Sequence, residues 1–391
     1  MAVGRWQGDP NWSLTTTVTD DITQAVLARV EVARYLRTSD GGADFDALEK
    51  VVGYLDELRT TQRYPIYRRL KHPLYPILRK LDSLSENIDV VKAASRAHRL
   101  IYASNHKSHI DYLAEPLVLD ENGVRPPIIA AGINLFGGPL GLLHRHVTGA
   151  IPIRRDMRDP AYLITLRAYV AELLNRHDFM FYIEGGRSYS GELKPAKTGL
   201  FQAALQAGRR DAVIVPTAIS YDLVLEDHVL SRQRVKRQQR PFSRELAEMV
   251  RYAVGYRSRV IITFGRPIPL CNFDSGSRRD VLELVRQTRQ AIGLQVKVLP
   301  TSLVAAAMRP SITFAELEAR IDALLDTFRA AGANLESTSG AHAAQFGCEL
   351  LESRNVILVE QGRVRVRDRN VLRYYARMND HLLTPRTSQT H

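Results

Sequence analysis

Cysteine is scarce: the 391 residues contain two, Cys271 and Cys348, far apart in the chain. Two such residues build neither a disulfide framework nor a zinc-ligand spacing, so the sequence points to a reducing compartment. Long apolar runs are missing as well. No stretch offers the roughly 18 uninterrupted apolar residues that a spanning helix needs, so no transmembrane helix is expected. The stretch nearest to one, Pro127 to Ile153, is glycine-rich and broken by His144, Arg145 and His146. It reads as a semi-buried loop and strand region, able to touch a membrane without crossing it. The opening MAVGRWQGDPNWSLTTT lacks an apolar core, so no secretory signal is expected. Internal repeats are absent too, which excludes a solenoid. Acidic residues are outnumbered, 42 against 54 basic ones, leaving a net charge of +12. That excess suits polyanionic partners: nucleic acid, an anionic lipid surface or phosphorylated substrates. Hydrophobic residues at 45% exclude a disordered chain, and the length suffices for two or three domain-sized units.

Three textures follow one another. Residues 1–95 read as mostly helical. Phe45, Leu48, Val51, Val52, Leu55 and Leu58 recur every three or four positions, and Asp44 is placed to cap the first turn. Ile22 to Leu36 carries a looser stripe, Gly41-Gly42 separates the two, and Pro73 and Pro76 end the pattern. From 96 to 295 short apolar runs alternate with helical patterns. Strands are predicted at Leu100–Ala103, Ile128–Ala131, Ala150–Ile153, Phe179–Ile183, Val213–Ile219 and Val260–Phe264. Helices are predicted at Ala161–Asn175 and Leu200–Ala207, the second stopped by Gly208. Such alternation predicts an α/β domain with a central, mostly parallel sheet flanked by helices. Residues 296–391 turn helical again, with a hairpin at Val356–Glu360 and Val364–Arg367 around Gln361-Gly362, and a last helix over Asn370–Leu382.

The chemistry-bearing residues sit just after predicted strands, where α/β sheets place their sites. In Asn105-His106-Lys107-Ser108-His109-Ile110-Asp111, the histidine suits proton transfer near neutral pH. A carboxylate five positions on can fold back across a strand-to-helix turn, hold one tautomer and stabilise the imidazolium. His106, His109 and Asp111 could also be metal ligands, but no distant Cys/His cluster completes a set, so no metal is expected. His109 reads better as a residue packing beside the site. Further on, Glu184-Gly185-Gly186-Arg187-Ser188 combines two glycines, whose backbone can approach a ligand, with an arginine fork suited to phosphate. Lys194 and Lys197 follow within reach. Arg154 and Arg155 leave a strand end, and Pro216 fixes a bend in VIVPTAISYD; each is feeble in isolation.

Taken in order, NHKSHIDYL, then AAGINLFGGPLG with GAIPIRR, then YIEGGRSYSGELKPAKTG, then IVPTAISYD resemble the four motif blocks of the glycerolipid acyltransferases. The DYL ending, the double glycine and ISYD look more like glycerol-3-phosphate or dihydroxyacetone-phosphate acyltransferases than lysophosphatidate ones, and VLRYYARMNDHLL resembles the tail of the larger bacterial glycerol-3-phosphate enzymes. Members often carry a second arginine where this chain has Tyr189, so Lys194 or Lys197 would substitute or the acceptor would differ.

The resemblance implies transfer of a fatty acyl group from acyl-coenzyme A or acyl carrier protein to glycerol-3-phosphate. No cofactor is expected beyond that co-substrate. His106 with Asp111 would act as general base without an acyl-enzyme. Arg154, Arg155, Arg187, Lys194 and Lys197 would hold phosphate, while Glu184, Gly185, Gly186, Ser188 and Pro216 shape the site. The expected place is the cytoplasmic face of a membrane, peripheral and drawn there by charge. Two alternatives stay open: another acceptor, such as lysophosphatidate, dihydroxyacetone phosphate or a plain alcohol, and a nucleic-acid-binding module built on the basic hairpin.

Overall fold

The apolar runs of the middle region assemble into one sheet. The computed structural model describes residues 16–17, 20–38, 42–63, 65–66, 69, 81–136, 141, 145, 147–154, 157–232 and 258–383. Its main strands are β1 (Leu81–Glu86), β2 (Arg99–Ser104), β3 (Ile128–Gly132), β4 (Ala150–Ile153), β5 (Phe179–Tyr182), β6 (Ala212–Tyr221), β7 (Ser258–Phe264) and β8 (Ile268–Pro269). Their spatial order is β1-β7-β6-β2-β5-β3-β4, with β8 also paired to β6. Strands β2 to β6 are parallel. β7 and β8 run antiparallel to β6, and β1 runs parallel to β7. This is the expected α/β class. The hydrophobicity of β6 is nearly continuous because both of its faces are covered; all ten of its residues are buried.

β1 corrects the sequence reading. It falls inside the 1–95 range that reads as mostly helical, so the sheet begins ahead of residue 96. Its sequence, Leu-Asp-Ser-Leu-Ser-Glu, is polar for a strand, and Leu84 is 48% exposed. An edge ladder running from Leu81 opposite Ser258 to Glu86 opposite Thr263 holds it extended, and no hydrophobic pattern announces such a ladder. Pro216 is the other oddity, a residue without a donor inside a central strand. It is tolerated because β6 changes partner there. β7 ends opposite Thr217, β8 resumes opposite Ile214, and the Pro216 carbonyl accepts from Gly265 N at 2.7 Å.

Helices α1 (Asp20–Ala28), α2 (Val30–Tyr35), α3 (Phe45–Leu58), α4 (Ile88–Ala94), α5 (Asp111–Glu121), α6 (Pro160–Leu174) and α7 (Gly199–Gln206) come first. α8 (Asp227–Arg232), α9 (Arg278–Gln295), α10 (Pro300–Ala307), α11 (Phe314–Ala330), α12 (Gly340–Ser353) and α13 (Arg369–Ala376) follow. Asp44 caps α3 as expected, accepting from Ala47 N at 2.9 Å. Side chains alternate across a strand, so β2 sends Leu100 and Tyr102 to one face and Ile101 and Ala103 to the other. The first face is covered by α4, α5 and the C-terminal helices; the second by α1 to α3 with α6, α7 and α9. The two terminal regions are thus outer layers of one sheet. The C-terminal hairpin forms between Ile357–Glu360 and Arg363–Val366, turning through Gln361 and Gly362 at φ of 50° and 71°. The predicted last helix is interrupted: α13 stops at Ala376, a 3-10 turn follows over Arg377–Asn379, and a short helix resumes over Asp380–Leu383. Gly41, Pro73 and Pro76 lie outside the described residues. Among the described residues no helix is long and apolar enough to cross a membrane.

Candidate active site

The site is built where β2 ends between β5 and β6. Asn105 is tied twice to β6, donating to Ile219 O at 3.0 Å and accepting from Ile219 N at 2.7 Å. That anchor fixes how the chain leaves β2, and a short turn then brings Asp111 in as the first residue of α5. Asp111 Oδ2 meets His106 Nδ1 at 2.8 Å and accepts from Lys107 N at 2.7 Å and Ser108 N at 3.0 Å. Its other oxygen accepts from the Tyr221 hydroxyl at 2.7 Å. Burial lifts this carboxyl to about 6, and the hydrogen bonds from Ser108 N, the Tyr221 hydroxyl and Lys107 N, with the Lys107 charge, hold it from rising further. An ionised Asp111 keeps the proton on Nδ1, which assigns the lone pair to Nε2. The His106 ring is also held by stacking on Tyr182, with centroids 4.1 Å apart and planes 12° from parallel.

The glycine-rich segment is stitched to this turn. Glu184 accepts from His106 N at 3.1 Å with one oxygen and from Lys194 N at 3.2 Å with the other. Ser188 N donates to His106 O at 3.1 Å, and the buried Lys107 Nζ donates to Gly191 O at 2.5 Å. Burial raises the Glu184 carboxyl, with the Lys107 charge opposing. Gly185 adopts φ +66°, and a Cβ there would stand 3.3 Å from Lys197 Cγ. Gly186 is half-buried and Ser188 is buried, its hydroxyl donating to Glu192 O at 2.7 Å. Glu184 and Ser188 are therefore held as structural ties. Lys194 Nζ donates to Arg187 O at 2.6 Å, and Lys197 is exposed at the rim.

Arg187 is buried and approaches Glu226, Nη1 to Oε1, at 3.5 Å. Glu226 also accepts from Ser108 Oγ at 2.8 Å and His109 N at 2.7 Å. No sequence pattern singles Glu226 out; it arrives from the loop after β6. His109 lies in the turn ahead of α5, buried beside the site. Among the described residues no group of three or more His, Cys, Asp or Glu is placed to hold a metal ion. Glu115, one helical turn after Asp111, is fully buried with Ser104 Oγ 3.0 and 2.9 Å from its two oxygens. Burial, with the Asp111 charge adding to it, pushes Glu115 up to about 8. Helical spacing from Asp111 could have flagged Glu115, as the quoted motif blocks could have flagged Tyr182 and Tyr221.

Arg154 is placed elsewhere. It follows β4 at the sheet's far edge, three strands from β2, and forks onto Glu57 of α3 at 2.7 and 2.5 Å. The structure therefore does not bring it to the His106 cluster, because its strand is the edge that α3 covers. Arg155 lies outside the described residues. Pro216 pairs with Ala103, one position below the end of β2, and supports the site from beneath. The geometry joins a base whose orientation is fixed, a buried cation and a rim lysine. That set can take a proton from a hydroxyl while holding an anion.

Residues 85–220, which include both the His106 turn and the Arg187 segment, match the family model described as Acyltransferase. A glycerol-3-phosphate acyltransferase of Aeromonas hydrophila is 33% identical over 237 residues, 58% of this chain and 29% of that protein. One from Xanthomonas campestris is 29% identical over 274 residues, 67% of this chain and 30% of that protein. One from Pasteurella multocida is 36% identical over 200 residues, 48% of this chain and 24% of that protein. The chain spans less than a third of the length of these curated relatives. Residues 85–220 are thus similar to the Acyltransferase family, and glycerol-3-phosphate acyltransferases are among the proteins that this chain resembles.

Proposed function

We propose that this chain moves a fatty acyl group from a thioester to the hydroxyl of glycerol-3-phosphate, with His106 as general base. The observation that carries the reading is the 2.8 Å contact between His106 Nδ1 and a fully buried Asp111. The names of the relatives support the acceptor. His106 Nε2 takes the hydroxyl proton as the oxygen attacks the thioester carbonyl. The carbon–sulfur bond then breaks, and the imidazolium returns the proton to the leaving thiolate. Asp111 stabilises the imidazolium between those two events. Direct attack is favoured over an acyl-enzyme because Ser108, the hydroxyl next to His106 in the turn, is committed as a donor to Glu226. Arg187, oriented by Glu226, holds the acceptor phosphate, with Lys194 and Lys197 contributing charge from the same segment. Coenzyme A and acyl carrier protein are both suitable donors.

Purified protein given radiolabelled glycerol-3-phosphate and palmitoyl-coenzyme A should form labelled lysophosphatidate, and His106→Ala should form none while melting normally. Comparable product from the variant would remove His106 from the base role. The net charge of +12 suits the anionic lipid that receives the product. Sedimentation with anionic but not neutral vesicles is expected, and equal recovery with both would refute that attraction.

A further inference from the structure

The edge of the sheet opposite His106 carries a charge cluster that acyl transfer does not use. Four strands adjacent in space, β6, β2, β5 and β3, each receive an arginine at their amino end. Arg209 precedes β6, Arg96 and Arg99 lead into β2, Arg176 precedes β5 and Arg125 precedes β3. These five arginines line one pocket of about 480 Å³ against two aspartates, Asp178 and Asp211. Separate positions in sequence meet here because parallel strands bring their entry turns to the same edge.

The guanidinium groups are held in place. Arg99 Nη1 lies 3.1 Å from Asp178, Arg209 forks onto Asp211 at 2.9 and 2.5 Å, and Arg125 forks onto Gln62 Oε1 at 3.2 and 3.1 Å. Donors nevertheless remain. Arg96 is exposed, with no side-chain hydrogen bond or ion pair among the described residues. Arg99 Nε is buried with no hydrogen-bond partner among the described residues, a state an acceptor in the pocket would relieve. His177, in the same lining, is pushed down to about 4 by its burial and then by Arg125, Arg99 and Arg176. Burial is the larger cause, and the three arginines add to it, so the charge around the pocket is positive.

We propose that this pocket binds a multiply charged phosphoryl anion, carried on a small soluble molecule or on a lipid headgroup. Arginine forks match phosphate oxygens, and the volume lies in the roughly 300–1,000 Å³ range of small-ligand sites. The six residues of β2 separate the pocket from His106 by about 20 Å, so a ligand here does not occupy the acceptor's place. The site stands independently of the acyl-transfer reading, because binding is measured without turnover.

The test titrates the full chain with inorganic pyrophosphate by calorimetry, using wild type, Arg96→Glu and Arg99→Lys. Arg96→Glu should weaken binding by about tenfold or more at unchanged melting temperature and turnover. Arg99→Lys, which keeps the charge but removes the Nε donor, should weaken it several-fold; if it unfolds, the exposed Arg96 still decides. A parallel arm sediments the proteins with phosphatidylcholine vesicles containing or lacking phosphatidate. Pyrophosphate binding that Arg96→Glu weakens supports a soluble ligand. Phosphatidate-dependent sedimentation lost in Arg96→Glu, without pyrophosphate binding, supports a headgroup. Failure of both, or affinity unchanged by both substitutions, overturns the proposal, since pyrophosphate held near Arg187 would not sense Arg96.

Discussion

Replacing Glu115 by glutamine isolates the energetic consequence of a carboxyl buried under the base. Glu115 has no solvent exposure, and among the described residues its carboxyl meets only Ser104 Oγ, so its charged form is poorly supported. Its value rises from 4.5 to about 8. A folded value above the unfolded one means the stabilisation is complete below about 4.5 and is lost as pH climbs to 8 and beyond. At about 1.4 kcal/mol per unit, the wild type loses roughly 3–4 kcal/mol through this residue between pH 5 and pH 9. Glutamine reproduces the protonated carboxyl, since its amide can donate to Ser104 Oγ as the acid O–H does. The difference in unfolding free energy between Glu115→Gln and wild type should therefore grow in the variant's favour across that range. Urea titrations at pH 5, 7 and 9 measure it, and the subtraction cancels every other titrating group. A difference that stays flat, or moves against glutamine, would refute the burial argument.

Asp111→Asn should keep the turn, because the amide oxygen can still accept from the three nitrogens, yet turnover should fall by a factor on the order of 10²–10⁴. In the wild type the active carboxylate exists above about 6, so kcat/KM should decline as pH drops through that value; a profile flat from pH 5 to 8 contradicts it. Tyr221→Phe removes a donor to Asp111 and should cost about 1.5–3 kcal/mol, whereas Tyr182→Phe deletes a buried hydroxyl without a hydrogen-bond partner among the described residues and should be neutral or slightly stabilising. Equal melting temperatures for the two variants would contradict the assignment. Gly191 has φ +87°, and a Cβ on it would lie 1.9 Å from Tyr374 O, so Gly191→Ala should destabilise by about 2 kcal/mol or more in thermal unfolding.

Local pattern was enough for much of this protein. Each strand from β2 to β7 is a short apolar run that must be buried, so composition alone located it. α3 and its Asp44 cap follow from periodicity and an unpaired helix start. The His106–Asp111 pair was legible because both members lie within five residues, and a strand-to-helix turn closes that distance without help from the rest of the chain. β1 was not legible, since a polar edge strand exists by virtue of the β7 ladder and not of its own side chains. Glu226 is more than a hundred residues from Ser108 and His109 in sequence, and only the crossover from β2 to β6 brings it to Arg187. The resemblance of GAIPIRR to a motif block assigns Arg154 to the site; strand order decided that its strand is the distant edge, where Glu57 meets it. The five arginines of the opposite edge are each an ordinary turn residue in sequence. Spacing along the chain determines which groups can fold back on their neighbours. The order of strands in the sheet determines which distant groups share one electric field, and a linear pattern does not contain that order.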